Sequence, residues 1–82
     1  MVHRLKTWTE PFGAIRRGEK THEFRKNDRN FQVGDVLELA EYTSFGFYSG
    51  EVETRVVTYI SRGPEWGIPD GYCVMSIGPV KP

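Results

Sequence analysis

Eighty-two residues make one small domain, in which eleven Lys and Arg are balanced by eleven Asp and Glu and there is a single cysteine. The balance excludes a general polyanion binder, because non-specific nucleic-acid affinity comes mainly from cations that neutralise phosphates, and one cysteine excludes an internal disulfide and a multi-thiolate zinc site. No apolar run approaches the ~18 residues of a membrane span, and the opening MVHRLKTW lacks the apolar stretch of a signal peptide, so a cytoplasmic protein with no membrane partner is expected.

Val2 to Lys6 alternates, with His3 and Leu5 on one side, and reads as a first strand. Thr9 to Arg17 reads as a helix: Thr9 as N-cap, Glu10 at the positive end of the dipole, Pro11 in the first turn, Phe12 and Ile15 on one face, and Gly18 as the stop. Thr21 to Lys26 alternates again, with Thr21, Glu23 and Arg25 on one face and His22, Phe24 and Lys26 on the other. Asn27 to Asn30 is a polar turn, and Phe31 to Asp35 leads into a strand from Val36 to Tyr42.

Thr43 to Gly50 is a Ser, Gly and aromatic loop. Glu51 to Ile60 has the cleanest alternation, which predicts Val52, Thr54, Val56, Thr58 and Ile60 inward and Glu51, Glu53 and Arg55 outward. Ser61 to Gly71 is a loop in which Trp66 to Pro69 is expected to close one end of the fold, and Tyr72 to Ile77 is the last strand. The order β-α-β-β-β-β, mainly β with one N-terminal helix, is too short for a doubly wound sheet. A small curled sheet or barrel of about five strands follows, because closure removes exposed edges.

Charge is unevenly spread. From Arg4 to Arg29 there are eight Lys or Arg and four acids, whereas Asp35 to Glu53 holds five acids and no cation, so a neutral total hides a basic segment. Strands on either side of the helix bring Lys6, Lys20, Glu23 and Arg25 toward one mouth, with Trp8 as a flat wall. Such a set suits a nucleobase or nucleotide: an indole stacks on a base, cations meet phosphate and a carboxylate accepts from base N–H groups. The alternative is an ordinary surface strand in which Glu23 and Arg25 pair and Trp8 packs in the core.

Other candidates carry less chemistry. His3 and His22 lack metal-ligand spacing, so no metal or cofactor is expected. Cys73, mid-strand, reads as a buried small residue. The aromatic loop Phe45 to Tyr48 reads as a hairpin tip, or as a surface that pairs with a ligand or protein partner.

The segments Leu5-Lys6-Thr7-Trp8, Glu10-Pro11-Phe12, Gly18-Glu19-Lys20-Thr21, Glu23 to Arg29, Phe31 to Asp35 and Gly71 to Ile77 run in order over nearly the whole chain. Together they resemble a small phage- and bacteria-associated domain of unknown function that belongs with the ASCH (activating signal cointegrator homology) domains of the PUA-like superfamily. The most specific part is Gly-x-Lys-Thr-x-x-x-Arg, Gly18 to Arg25, followed by Val33-Gly34-Asp35. The resemblance implies that residues 1–82 form a single PUA-like β-barrel with a cleft beside the first helix, used in relatives for RNA or modified nucleobases.

Some ASCH relatives are amidohydrolases that remove the acyl group of N4-acetylcytidine. Their pattern has a Lys at the position matched by Lys20, a Thr three residues on and a distant Glu; Glu23 stands where that Thr would be. Three functions therefore compete. One is an RNA- or nucleotide-binding module in which Trp8 stacks, Lys6 and Lys20 meet phosphate or a carbonyl, Glu23 reads a base edge and Arg25 orients Glu23 or contacts phosphate. The second is a hydrolase of an N4-acylated cytidine nucleoside with Lys20 as base and Glu23 as proton shuttle. The third is a protein-interaction accessory domain of transcription or translation that uses the Phe45–Tyr48 loop.

Overall fold

The computed structural model describes residues 1–81. Strand β1 (Val2–Trp8) buries His3, Leu5 and Thr7 and exposes the residues between them, a strict period of two. Helix α1 (Thr9–Arg16) follows without a loop and buries Phe12 and Ile15. Then come β2 (His22–Lys26), β3 (Val36–Tyr42), β4 (Tyr48–Arg62), a single 3-10 turn at Glu65–Gly67, and β5 (Tyr72–Pro79). The expected order and the single helix are therefore what forms. Thr9 is the first helical residue and not the cap: Trp8 holds the cap position and makes no side-chain cap bond.

The five strands make one sheet in the order β1-β3-β4-β5-β2, with β1 and β3 parallel and the other pairs antiparallel. The sheet curls into a half-barrel, and arginine side chains bridge the gap between its edge strands β1 and β2. Arg25 Nη2 donates to the Lys6 carbonyl at 3.0 Å, and Arg29 Nη1, just beyond β2, donates to the Arg4 carbonyl at 2.9 Å. Exposed strand edges invite pairing with other chains, and these two arginines occupy carbonyls of such an edge. Inside lie Leu5, Ile15, Phe31, Leu37, Leu39, Val57, Ile60, Cys73, Met75 and Ile77.

The inward set expected of β4 is corrected. Val57 and Ile60 are buried, Thr54 and Thr58 are exposed, and Val52 and Val56 are only half-buried. A register shift between Val57 and Tyr59 adds a residue, so the two core positions fall three apart. Before that bulge, Arg55 and Glu53 pair in register with Leu37 and Leu39 and turn toward α1. Their polarity is met there: Glu53 accepts from Arg16 at 2.8 Å, and Arg55 Nη2 donates to the Ile15 carbonyl at 3.0 Å. The acidic stretch thus pairs in part with the basic one, Arg16 also reaching Glu51 at 2.9 Å and Arg4 reaching Glu38 at 3.7 Å.

Trp66 is also corrected. It is 83% exposed and packs no end of the barrel. The loop around it is held instead by backbone: Gly63 donates to the Tyr72 carbonyl and Tyr72 to the Pro69 carbonyl. A Cβ on Gly63 would run into the Pro69 carbonyl oxygen, so only glycine fits. No helix among the described residues is long and apolar enough to cross a membrane.

Candidate functional site

The site lies where the seam between β1 and β2 opens beside the start of α1. Alternation along β1 sends Lys6 and Trp8 outward and Thr7 inward. Gly18, with φ +78°, ends the helix in the left-handed region and reverses the chain. The amides of Glu19 and Lys20 then both bond the Ala14 carbonyl, which fixes Lys20 against the entry to β2. In β2 the same period of two turns Glu23 and Arg25 inward and leaves His22, Phe24 and Lys26 outside.

Glu23 is the centre of the arrangement and is only 3% exposed. Its Oε1 accepts from Lys20 Nζ at 2.7 Å and its Oε2 from Arg25 Nε at 2.7 Å. Lys20 also donates to the His22 carbonyl at 2.6 Å, and Arg25 Nη2 to Thr7 Oγ1 at 3.3 Å. A carboxylate buried this deeply is tolerable because two charge-assisted bonds replace its water. One anion thereby holds two cations in fixed positions.

A cleft of about 330 Å³ opens over this cluster, lined by Lys6, Thr7, Trp8, Pro11, Lys20, His22, Glu23, Phe24 and Arg25. Small-molecule sites run from about 300 to 1,000 Å³, so this one holds a compact ligand. Three of the lining residues are cations and one is a carboxylate, an excess of two positive charges. Trp8 is 56% exposed and forms a wall, with Tyr42 set edge-on to it at 5.5 Å. Lys6 Nζ lies 4.4 Å over the Tyr42 ring, a cation–π contact that holds the chain beside the indole.

The structure thus brings together all five residues singled out from the sequence: Lys6, Trp8, Lys20, Glu23 and Arg25. Of the alternative, the pairing of Glu23 with Arg25 is what forms, whereas Trp8 is not in the core. Thr7, Pro11, His22 and Phe24 line the cleft beyond these five. Thr7 is buried and looks like a core strand residue, but its hydroxyl receives Arg25. Phe24 was legible as an apolar residue on the outward face of a polar strand, and it is 51% exposed at the rim.

The remaining candidates lie elsewhere. His3 Nε2 stands 2.8 Å from Asp35 Oδ2, buried against the Phe31 ring. Burial pushes the Asp35 carboxyl up, but the hydrogen bonds of His3, the Gln32 amide and the Met1 amino group outweigh it and hold the carboxyl below its ordinary value. Among the described residues no group of three or more His, Cys, Asp or Glu could hold a metal ion. Cys73 is fully buried, and burial pushes its thiol up, away from the reactive thiolate. Phe45 and Phe47 form an exposed stacked pair at the tip of the β3–β4 hairpin, 6.4 Å between ring centroids.

Comparison with known proteins gives a family and a relative. Residues 2–77 match the family described as a domain of unknown function, DUF3850. The chain is also 38% identical over 65 residues to a protein of Escherichia phage P2, "Uncharacterized 12.9 kDa protein in GpA 3'region". That similarity covers 79% of this chain and 59% of the phage protein, so the chain spans well under two thirds of its relative's length. With the match running from the first strand into the last, and so through every residue of the cleft, the chain belongs to the DUF3850 family.

Proposed function

We propose that the cleft binds a nucleotide or an unstacked base of single-stranded RNA. The observation that carries this reading is the convergence of an exposed indole, three cations and one buried carboxylate on a single base-sized opening. Trp8 offers a π-face to the base, and stacking of this kind is worth about 1–3 kcal/mol per base. Lys6, Lys20 and Arg25 face the phosphate or a base carbonyl. Glu23 fixes Lys20 and Arg25 through one bond to each oxygen, and its remaining lone pairs accept from base N–H groups. Membership of the PUA-like superfamily, through the ASCH pattern of Gly18 to Arg25, is part of the same proposal.

The test is a fluorescence titration with nucleoside monophosphates and short RNAs, in a Trp66→Phe background so that Trp8 alone reports. Saturable quenching that is lost in Lys20→Ala supports the reading. A folded protein that binds none of them rejects it.

A second reading is favoured by one contact, the 2.7 Å between Lys20 Nζ and Glu23 Oε1, which is within proton-transfer reach. In it the protein hydrolyses an N4-acylated cytidine: water adds to the acyl carbon, the C–N4 bond breaks, and a proton reaches N4. Against it, two of the bonds the Lys20 nitrogen can make are already taken by acceptors of the fold, Glu23 Oε1 and the His22 carbonyl. Incubation with N4-acetylcytidine decides it; release of acetate that stops in Lys20→Ala supports hydrolysis, and no release, or equal release in both, excludes it.

A further inference from the structure

We propose that the outward pair Phe24 and Tyr72 is a stacking platform for a second nucleotide, so that the ligand is a single-stranded oligonucleotide of at least two residues. The inference rests on the nucleotide reading of the cleft and extends it across the neighbouring sheet face. Phe24 belongs to both surfaces. It lines the cleft, and its ring also stacks on that of Tyr72, with centroids 5.5 Å apart and planes within 19°.

Two large aromatic rings on the solvent side of a sheet are costly to leave in water. Phe24 is 51% and Tyr72 37% exposed. Register explains how they meet: Phe24 pairs with Val74 and Lys26 with Tyr72, so the two rings sit diagonally on one face of β2 and β5. The outward positions of these strands also carry His22, Lys26 and Ser76, and no carboxylate. Aromatic rings on adjacent strands with a cation beside them are what a splayed single strand needs, a π-face for each base and a charge for the backbone.

Charge also sets the direction in which the strand leaves the cleft. On the other side of Trp8 a second groove is lined by Glu10 and Glu41 and by no cation. A phosphate backbone is repelled there and is met by Lys26 on the Phe24 side.

The experiment measures affinity against length. Cytidine 5′-monophosphate and fluorescein-labelled cytidine octamers, one of RNA and one of DNA, are titrated by anisotropy and competition. The platform predicts that an octamer binds at least about 10-fold tighter than the monophosphate. Tyr72→Ala loses about 5- to 100-fold of that octamer affinity and leaves the monophosphate unchanged, since Tyr72 does not line the cleft, while Tyr72→Phe keeps the gain. Tyr72→Leu, which keeps apolar bulk against Phe24 but has no π-face, serves where the Ala variant does not fold, with the same loss expected. The RNA and DNA arms identify the source of the strand. Equal affinity for monophosphate and octamers, or an undiminished octamer affinity in Tyr72→Ala and Tyr72→Leu, overturns the platform and leaves the cleft reading standing. Absence of binding by monophosphate and octamers alike overturns both.

Discussion

Glu23 and Arg25 stand two residues apart on the inward face of β2, and the guanidinium Nε donates to Glu23 Oε2 at 2.7 Å. The same guanidinium crosses the seam to the Lys6 carbonyl and the Thr7 hydroxyl. The pair is therefore both the floor of the cleft and part of what ties edge strand β2 to edge strand β1. Glu23→Ala is expected to leave Lys20 and Arg25 facing each other without their shared anion. Because both cations keep partial access to water, the cost to folding is about 1–3 kcal/mol and not the full cost of an uncompensated buried charge. Urea unfolding measures it, and an unchanged midpoint would contradict the role given to Glu23.

Trp8 is predicted to separate binding from stability. Its indole is more than half exposed and its one aromatic contact is with Tyr42, so Trp8→Ala costs folding only about 0.5–1.5 kcal/mol. The same change removes the stacking wall and weakens nucleotide binding by about 5- to 100-fold. Denaturation of the variant, and its titration followed by the anisotropy of a labelled RNA, check both halves.

Asp35 anchors the turn before β3 to β1 through His3. Its folded carboxyl titrates below the ordinary value near 4, so its contribution is complete above that value and is lost as pH falls through the lowered one. Asp35→Ala is expected to cost about 1–3 kcal/mol at neutral pH, by leaving buried His3 without its partner. The gap between parent and variant should narrow only on the acid side of about pH 4. A gap that does not change down to pH 2 would contradict the assignment.

Cys73 has no access to solvent in the folded state, and its thiol is disfavoured as thiolate. Its modification by a disulfide reagent is therefore expected to follow global unfolding, with a rate that rises with urea as the core opens. Rapid modification of the native protein would place Cys73 in a locally opening segment.

Phe47 lies at the hairpin tip, outside the cleft. Phe47→Ser is expected to leave nucleotide affinity unchanged when binding is followed by the anisotropy of a labelled RNA. A loss comparable to that of Trp8→Ala would move the binding surface toward the hairpin.

Much of this arrangement was legible because it follows from short-range rules. The period of two in β1 and β2 determines which side chains face outward, and Gly18 determines where Lys20 falls after the helix. Those two facts set the facing of Lys6, Trp8, Glu23 and Arg25 and the place of Lys20; that all five share one cleft depends also on the curl of the sheet, which brings its edge strands β1 and β2 toward each other. The parity of β4 was not legible. Its apolar residues alternate without interruption from Val52 to Val56, and nothing local announces the extra residue between Val57 and Tyr59. The inward turn of Glu53 and Arg55 depends on Arg16 and the Ile15 carbonyl, 37 and 40 residues away in the chain. Trp66 misled for a related reason: its size suggests burial, but the loop that carries it is held by backbone bonds and leaves the ring outside.

The most direct measurement of the central claim is an amide and indole NMR map recorded during titration with a short single-stranded RNA. The account predicts that the Trp8 indole N–H and the amides of Lys6, Thr7, Lys20 and residues 22–25 shift together and saturate at one ratio. Shifts confined to other faces of the barrel, or none at all in a folded protein, would contradict it.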